Sequence, residues 1–448
     1  MGDGSTSPEG LATGLVPDQP PSRAAAGAAP CTTEDVTTVR GLAGHAASAA
    51  TTLRHTPDDA IDDVLRRAAA LLDARQSQLL EANEVDAAAA VAGGLTASVR
   101  DRLKLDESRL RAMADQLRAL AESSVPPSDR LVRVLPDGTR VLERRVPVGV
   151  VGAIFEARPN VTIDVASQVL RARSSVIMRT GAAALRTSCA LVDDVLMPAL
   201  SDANLPTDAV QLVRSAGHGA AAAVLLQPDL IPLVVVRGSG PVTRHLAALG
   251  ASAGVQVLAH AQGGGVLYVD RSADLATARR LVTESLDRLG VCNRLNLLLL
   301  DDALPATAVE TILTALSEAG VSASLAPHPH PIGHEWALDT GAEATVTVAS
   351  IDGAARAGRL ADQETSGLAA AICGEDEEAF RRFADNYGGT AVLWNASTRL
   401  VDGYKLLGVA ETGINVDRSL GPRGPVTYLD LGMRQYVVLP AAAAGDNA

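Results

Sequence analysis

Cys292 is one of four cysteines in a chain of 448 residues, and it stands in "LGVCNRLNLLLLDD" (289–302). A helical pattern precedes it, and a run of leucines that reads as a buried strand follows. A thiol in such a loop becomes a nucleophile once ionised, and a cation nearby, with Arg294 next but one in sequence, favours the thiolate. Gly290, two residues upstream, permits a tight turn, and Asn293 adds a polar neighbour. The competing reading is a small buried hydrophobe. A second candidate lies in "FEARPNVTIDVA" (155–166), where Asn160 opens a helix at the end of a strand. Its amide either caps that helix or donates to a developing oxyanion. Glu156 and Arg158 share the loop, where an ordinary surface pair is the plain alternative.

Two further stretches share a layout. "VIMRTG" (176–181) and "VVVRGSG" (234–240) each run from apolar strand to Arg to a glycine-containing turn to a helix. Backbone N–H groups at a helix start bind phosphate, and an arginine adds a bidentate donor. Arg179 and Gly181 in the first, and Arg237, Gly238, Ser239 and Gly240 in the second, are therefore candidates for a phosphate-bearing cofactor. No G-x-G-x-x-G occurs, and no G-x-S-x-G indicates a serine hydrolase. His328, His330 and His334 in "HPHPIGH" could cluster. With interleaved prolines and no acidic residue or cysteine within the run, a solvent-exposed loop is expected rather than a metal site.

These residues need elements to carry them. Residues 1–30 are rich in Gly, Pro, Ser and Ala without periodicity and read as a disordered tail. From Thr32 to about Ser124 the spacing of apolar residues is helical. "RLVRVLPDGTRVLERRVPVG" is a hairpin turning at Pro136-Asp137-Gly138. Strands and helices then alternate with short connections, which indicates an α/β protein with a parallel sheet. A second α/β unit starts at "GGVLYVD" and contains the Cys292 loop. "TAVLWNAS" and "YVVLP" are strand-like.

Composition narrows the class. Hydrophobic residues make up 47% and aromatics 2%, so the cores must be filled by Ala, Val and Leu. A net charge of −13 argues against a broad nucleic-acid surface. Four scattered cysteines without C-x-x-C suit a reducing cytoplasm better than a disulfide framework or zinc ribbon. The first residues show no secretory pattern. The apolar runs are strand-sized and too short to span a bilayer. A cytoplasmic protein is expected.

Several longer strings resemble a known family. "VPVGVVGAIFEARPNVTIDVASQVLRARSSVIMRTG", "VCNRLNLLLLDD", "LWNASTRLVDG" and "RGP" at 423–425 are similar to signature segments of the γ-glutamyl phosphate reductases (glutamate-5-semialdehyde dehydrogenases), a branch of the aldehyde dehydrogenase superfamily. The likeness runs from about residue 35 to 440. It implies an aldehyde dehydrogenase-like fold: an NADP-binding domain over 31–130 and 147–265, and a catalytic domain over 266–395. It also implies an oligomerisation hairpin and strand at 131–146 and 426–440, with 396–425 returning onto the cofactor domain. It implies NADPH-dependent reduction of L-glutamyl 5-phosphate to the semialdehyde, which cyclises to 1-pyrroline-5-carboxylate on the route to proline. Cys292 would form a thioester, and Asn160 with the Cys292 N–H would hold the oxyanion. Glu156, Arg158, Asn293 and Arg423 would meet substrate. Arg179 would face the cofactor's 2′-phosphate, with Gly238 to Gly240 on its pyrophosphate or nicotinamide side. A homo-oligomer fed by an upstream glutamate kinase is the expected setting.

The chain also departs from the pattern. Leu368 stands where the family carries a histidine, and "VAETGIN" (409–415) where it reads "GAEIGIS". The stretch after Trp336 is shorter and less acidic, and "AHAQGGGVLYVD" lacks the superfamily's glutamate. These departures motivate a second reading: the same chemistry on a different acyl phosphate or aldehyde.

Overall fold

In the computed structural model, the described residues are 31–238, 240–260, 263–339, 341–418 and 421–441. The tail at 1–30 and Ser239 lie outside them. Five helices, from Thr33–Leu53 to Glu107–Glu122, occupy the segment of helical spacing. The first is opened by a capping box between Thr32 and Asp35. A hairpin follows, β1 (Asp129–Val134) and β2 (Arg140–Pro147).

The first parallel sheet contains β3 (Val150–Phe155), β4 (Ser175–Thr180), β5 (Val210–Leu212), β6 (Leu233–Arg237) and β7 (Gln256–His260). Its order is β5-β4-β3-β6-β7. The chain starts in the middle, builds outward on one side, then returns to the other side of β3. Strand order therefore reverses between β3 and β6, and a crevice opens at their carboxyl ends. Every residue of β3 and β4 is buried, as helices on both faces require.

The second sheet holds β8 (Gly265–Val269), β9 (Leu295–Asp301), β10 (Ser322–Ser324), β11 (Thr345–Ile351), β12 (Ala369–Cys373) and β13 (Val392–Trp394). It is also parallel, in the order β10-β11-β9-β8-β12-β13. Three of its strands, β10, β11 and β12, are additions to the sequence reading. β14 (Gly413–Asn415) pairs with β15 (Gly424–Val426), and β16 (Gly432–Leu439) joins the hairpin through β2. Among the described residues no helix is long and apolar enough to cross a membrane.

Candidate functional site

Cys292 sits in the turn immediately before β9, partly exposed, in the wall shared by two cavities. Its backbone is held from below by three consecutive glycines. Gly264 N–H donates to the Cys292 carbonyl at 2.6 Å, and Gly265 N–H to the Arg294 carbonyl at 2.6 Å. A Cβ on Gly263 would stand 2.5 Å from the Cys292 oxygen, and one on Gly265 would stand 2.7 Å from Thr398. Only glycine admits this approach of two backbones. Asn293 fixes the turn from the other side. Its amide donates to the Val401 carbonyl at 3.0 Å, its side-chain oxygen accepts from Arg399, and its own carbonyl accepts from Thr398. Asn293 thus holds the nucleophile loop against 397–401 while also lining the smaller cavity.

Arg294 corrects another expectation. It is fully buried, and its guanidinium turns away from the thiol to the carbonyls of Glu343 and Thr345 at the start of β11. The cations whose charge reaches Cys292 come from elsewhere: Arg102 on the helix Ala97–Leu103, and Arg158 in the loop after β3. Arg102 donates to the Gly290 carbonyl at 2.7 Å.

The smaller cavity, about 260 Å³, is lined by seven cationic side chains: Arg102, Lys104, Arg109, Arg158, Arg237, Arg288 and Arg399. Three carboxylates, Asp164, Asp402 and Glu411, share it. Asn160 lines it too. The helix Asn160–Arg171 is capped at Pro159 without a side-chain bond, so Asn160 is its first residue and not the cap. Its amide donates to Asp164, one turn on, at 2.9 Å, which leaves its second N–H. Burial and the Glu411 charge push the Asp164 carboxyl up to about 7. Glu411 is raised by burial, lies 3.7 Å from Arg237, and accepts from Gly403 N–H at 2.9 Å.

The larger cavity, about 500 Å³, opens at the reversal between β3 and β6. It gathers Glu156, Arg158, Arg179, Gly181, Arg237 and Gly238 from the carboxyl ends of three strands of the first sheet. Gly240 begins the helix Gly240–Ala253 after β6. Arg179 is buried, and one of its terminal nitrogens is spent on the Ala216 and Gly217 carbonyls, leaving Nε without a partner among the described residues. A Cβ on Gly238 would lie 3.2 Å from a Glu156 carboxylate oxygen. A glycine floor, an orphaned buried N–H and a crevice at the strand reversal fit a nucleotide.

Two expectations fail on position. Arg423 lines neither cavity: it is exposed and donates to the Gly388 carbonyl. The histidine run is half-buried, not a solvated loop. The rings of His330 and His334 pack edge-on against Trp336 at 4.8 and 4.6 Å, and no metal-holding group exists among the described residues.

Sequence reasoning missed Arg102, Arg288, Glu335 and Glu411. Glu335 follows the histidines, lines the larger cavity, and accepts from Gly263 N–H at 2.9 Å; burial raises its carboxyl. The departures from the family pattern fall unevenly. Leu368 and Ala337 line the larger cavity, whereas none of the described residues of 337–350 and 363–368 lines the smaller one.

Comparison with known proteins follows the same lines. The aldehyde dehydrogenase family profile matches residues 21–330. A γ-glutamyl phosphate reductase of Mesorhizobium japonicum is 34% identical over 415 residues, covering 90% of this chain and 96% of that protein. One of Sphingopyxis alaskensis is 35% identical over 410 residues, covering 89% and 93%. The crystal structure of a γ-glutamyl phosphate reductase from Thermotoga maritima superposes with a TM-score of 0.80 at 25% identity, covering 92% of this chain and all of that one. An acetylating aldehyde dehydrogenase from Geobacillus thermoglucosidasius, 14% identical over 92% of this chain and 99% of its own, shares the fold with a TM-score of 0.70. Fold, profile and near full-length relatives agree: the chain belongs to the γ-glutamyl phosphate reductase branch of the aldehyde dehydrogenase family.

Proposed function

We propose that this chain reduces L-glutamyl 5-phosphate to L-glutamate 5-semialdehyde and phosphate with NADPH, through a thioester on Cys292. The observation that carries the reading is the position of Cys292 between a cation-rich cavity suited to an anionic substrate and a larger cavity suited to a nucleotide. The relatives' names support the substrate.

Each residue has a task. The Cys292 sulfur, as thiolate, attacks the acyl carbon in the cavity wall it shares with Arg102 and Arg158; the C–S bond forms and phosphate departs with the C–O electron pair. Asn160 offers its second N–H to the carbonyl oxygen as charge develops there. The glycine clamp on the Cys292 carbonyl keeps the sulfur in position through both steps. Glu156, Arg179, Gly181 and Gly238 would hold the nicotinamide cofactor, which when bound supplies the hydride that converts the thioester to the aldehyde. Because the departures at Leu368 and Ala337 fall on the cofactor side, the substrate cavity supports the glutamyl reading over a changed substrate.

The test runs the reaction in reverse. 1-Pyrroline-5-carboxylate, in equilibrium with the semialdehyde, is supplied with NADP and phosphate while NADPH absorbance is followed. Phosphate-dependent turnover is expected with NADP in preference to NAD. Silence toward this substrate, with turnover of another ω-semialdehyde, would refute the glutamyl assignment.

A further inference from the structure

The smaller cavity holds more positive charge than its own carboxylates neutralise, and the surplus is concentrated at one place. Arg237 is tied to the Thr412 carbonyl and Glu411, Arg288 to Asp101, and Arg399 to Asp287 and Asn293. Arg158 differs. Among the described residues its guanidinium makes no hydrogen bond and no ion pair, although it lines both cavities. Arg102 bonds only a backbone carbonyl and likewise lines both. Burial and the like charges of Arg237, Arg102 and Arg288 pull the Arg158 guanidinium down. A guanidinium resists deprotonation, so such a gathering is costly until an anion enters.

We infer that Arg158, with Arg102, forms a phosphoryl subsite beside Cys292, which takes the leaving group of the acyl phosphate and also binds free inorganic phosphate. The inference rests on the acyl-phosphate reading above and assigns the parts of that substrate to parts of the cavity. The phosphoryl oxygen is bonded to the carbon that sulfur attacks, so the phosphate must lie within one group's width of the thiol. Arg158 and Arg102 are the arginines that line both cavities with Cys292 and have no carboxylate partner among the described residues. Lys104, with the ion-paired Arg109, Arg288 and Arg399, lines the rest of the cavity, toward which the carboxylate at the far end of a five-carbon chain would extend. A dianion with three free oxygens matches several planar N–H forks better than a carboxylate does. In the reverse direction a phosphate oxygen attacks the thioester carbon. The C–O bond forms, the C–S bond breaks, and the sulfur leaves as thiolate with the electron pair. Arg158 and Arg102 then hold the attacking dianion against the thiolate's charge.

Inorganic phosphate is the probe, used on the full chain at fixed ionic strength. The rate of Cys292 alkylation by iodoacetamide is measured against phosphate concentration in wild type, Arg158→Gln, Arg158→Lys and Arg102→Gln. Phosphate should slow alkylation saturably in wild type. The half-protecting concentration should rise about tenfold or more in both Gln variants and less in Arg158→Lys, which keeps the charge but loses the fork. KM for phosphate in the aldehyde-oxidising assay should rise in parallel, while KM for the aldehyde moves far less. No protection in wild type, or equal protection in Arg158→Gln, overturns the subsite. Arg158-dependent protection without turnover of glutamate 5-semialdehyde leaves the subsite standing and removes the substrate reading.

Discussion

In each parallel sheet the strand order reverses beside its first strand, between β3 and β6 in one and between β8 and β12 in the other, and of these two reversals the former borders a cavity described above. In the first sheet the carboxyl ends of β3 and β6 diverge into the larger cavity. In the second the reversal lies between β8 and β12, and the chain's own side chains fill it. Ser272 accepts from the Glu375 and Asp376 N–H groups, Asn395 and Trp394 close on Gly374, and Tyr268 bridges the buried Asp270 and Asp301. The second sheet serves the site from its opposite end, where Gly263 and Gly264 precede β8, Gly265 opens it, and Cys292 precedes β9. Topology marks two sites in such a fold; which one is used depends on whether local polar groups satisfy one another.

If that contrast holds, substitutions at the open junction should cost activity, and those at the filled crevice should cost stability. Cys292→Ala should lower turnover on the order of 10³-fold or more while the fold persists. Steady-state rates and a melting curve check both halves. Gly263→Ala forces a Cβ against the Cys292 carbonyl and displaces the nucleophile, for roughly a 10²-fold loss in kcat. A loss below threefold would mean the clamp does not set the sulfur's position. At the filled crevice, Tyr268→Phe strips the hydroxyl donor shared by Asp270 and Asp301 and should destabilise by about 1–3 kcal/mol in denaturant titration, with kcat unchanged. Equal damage to kcat there would break the comparison.

The smallest effect has the opposite sign. The Asp164 carboxyl, raised to about 7 chiefly by burial, keeps a proton that the unfolded chain gives up near pH 4. The stability linked to that proton is lost as pH rises from about 4 toward 7. Asp164→Asn should therefore become progressively more stable than wild type across that window, by roughly 1 kcal/mol or more at its upper end. Thermal melts at pH 5 and 7 measure it. A substrate-side cavity that costs stability and a filled crevice that supplies it would extend the contrast beyond the two sheet reversals.

The legible parts of the sequence were those written in contiguous patterns. The helices before Glu122, the hairpin at Pro136-Asp137-Gly138 and the strand–Arg–Gly turns of the first sheet each declare themselves within a dozen residues. β12 went unread because "LAAAIC" is mostly alanine, which carries little strand preference, whereas β11, "ATVTVASI", has a β-branched alternation that was overlooked. At the site, Cys292 and Asn160 stood in quotable strings. The role of Arg294 was misjudged because adjacency in sequence does not fix direction: one residue before β9 its side chain points to β11. Arg102 and Glu335 come from a helix and a loop far apart in the chain, and only the fold brings them to one cavity. Arg423 failed for the converse reason, since its neighbourhood in sequence lies at a different edge from the thiol.

The scarcity of aromatic residues has a practical use. The chain contains two tryptophans, Trp336 and Trp394. Trp394 is stacked on Phe380 at the filled crevice, while Trp336 lies between two residues of the larger cavity's wall and against two imidazoles. A Trp394→Phe protein would therefore carry a single tryptophan, next in sequence to two residues of the larger cavity's wall, and its emission, excited apart from the five tyrosines, would register the arrival of a nucleotide there without any label.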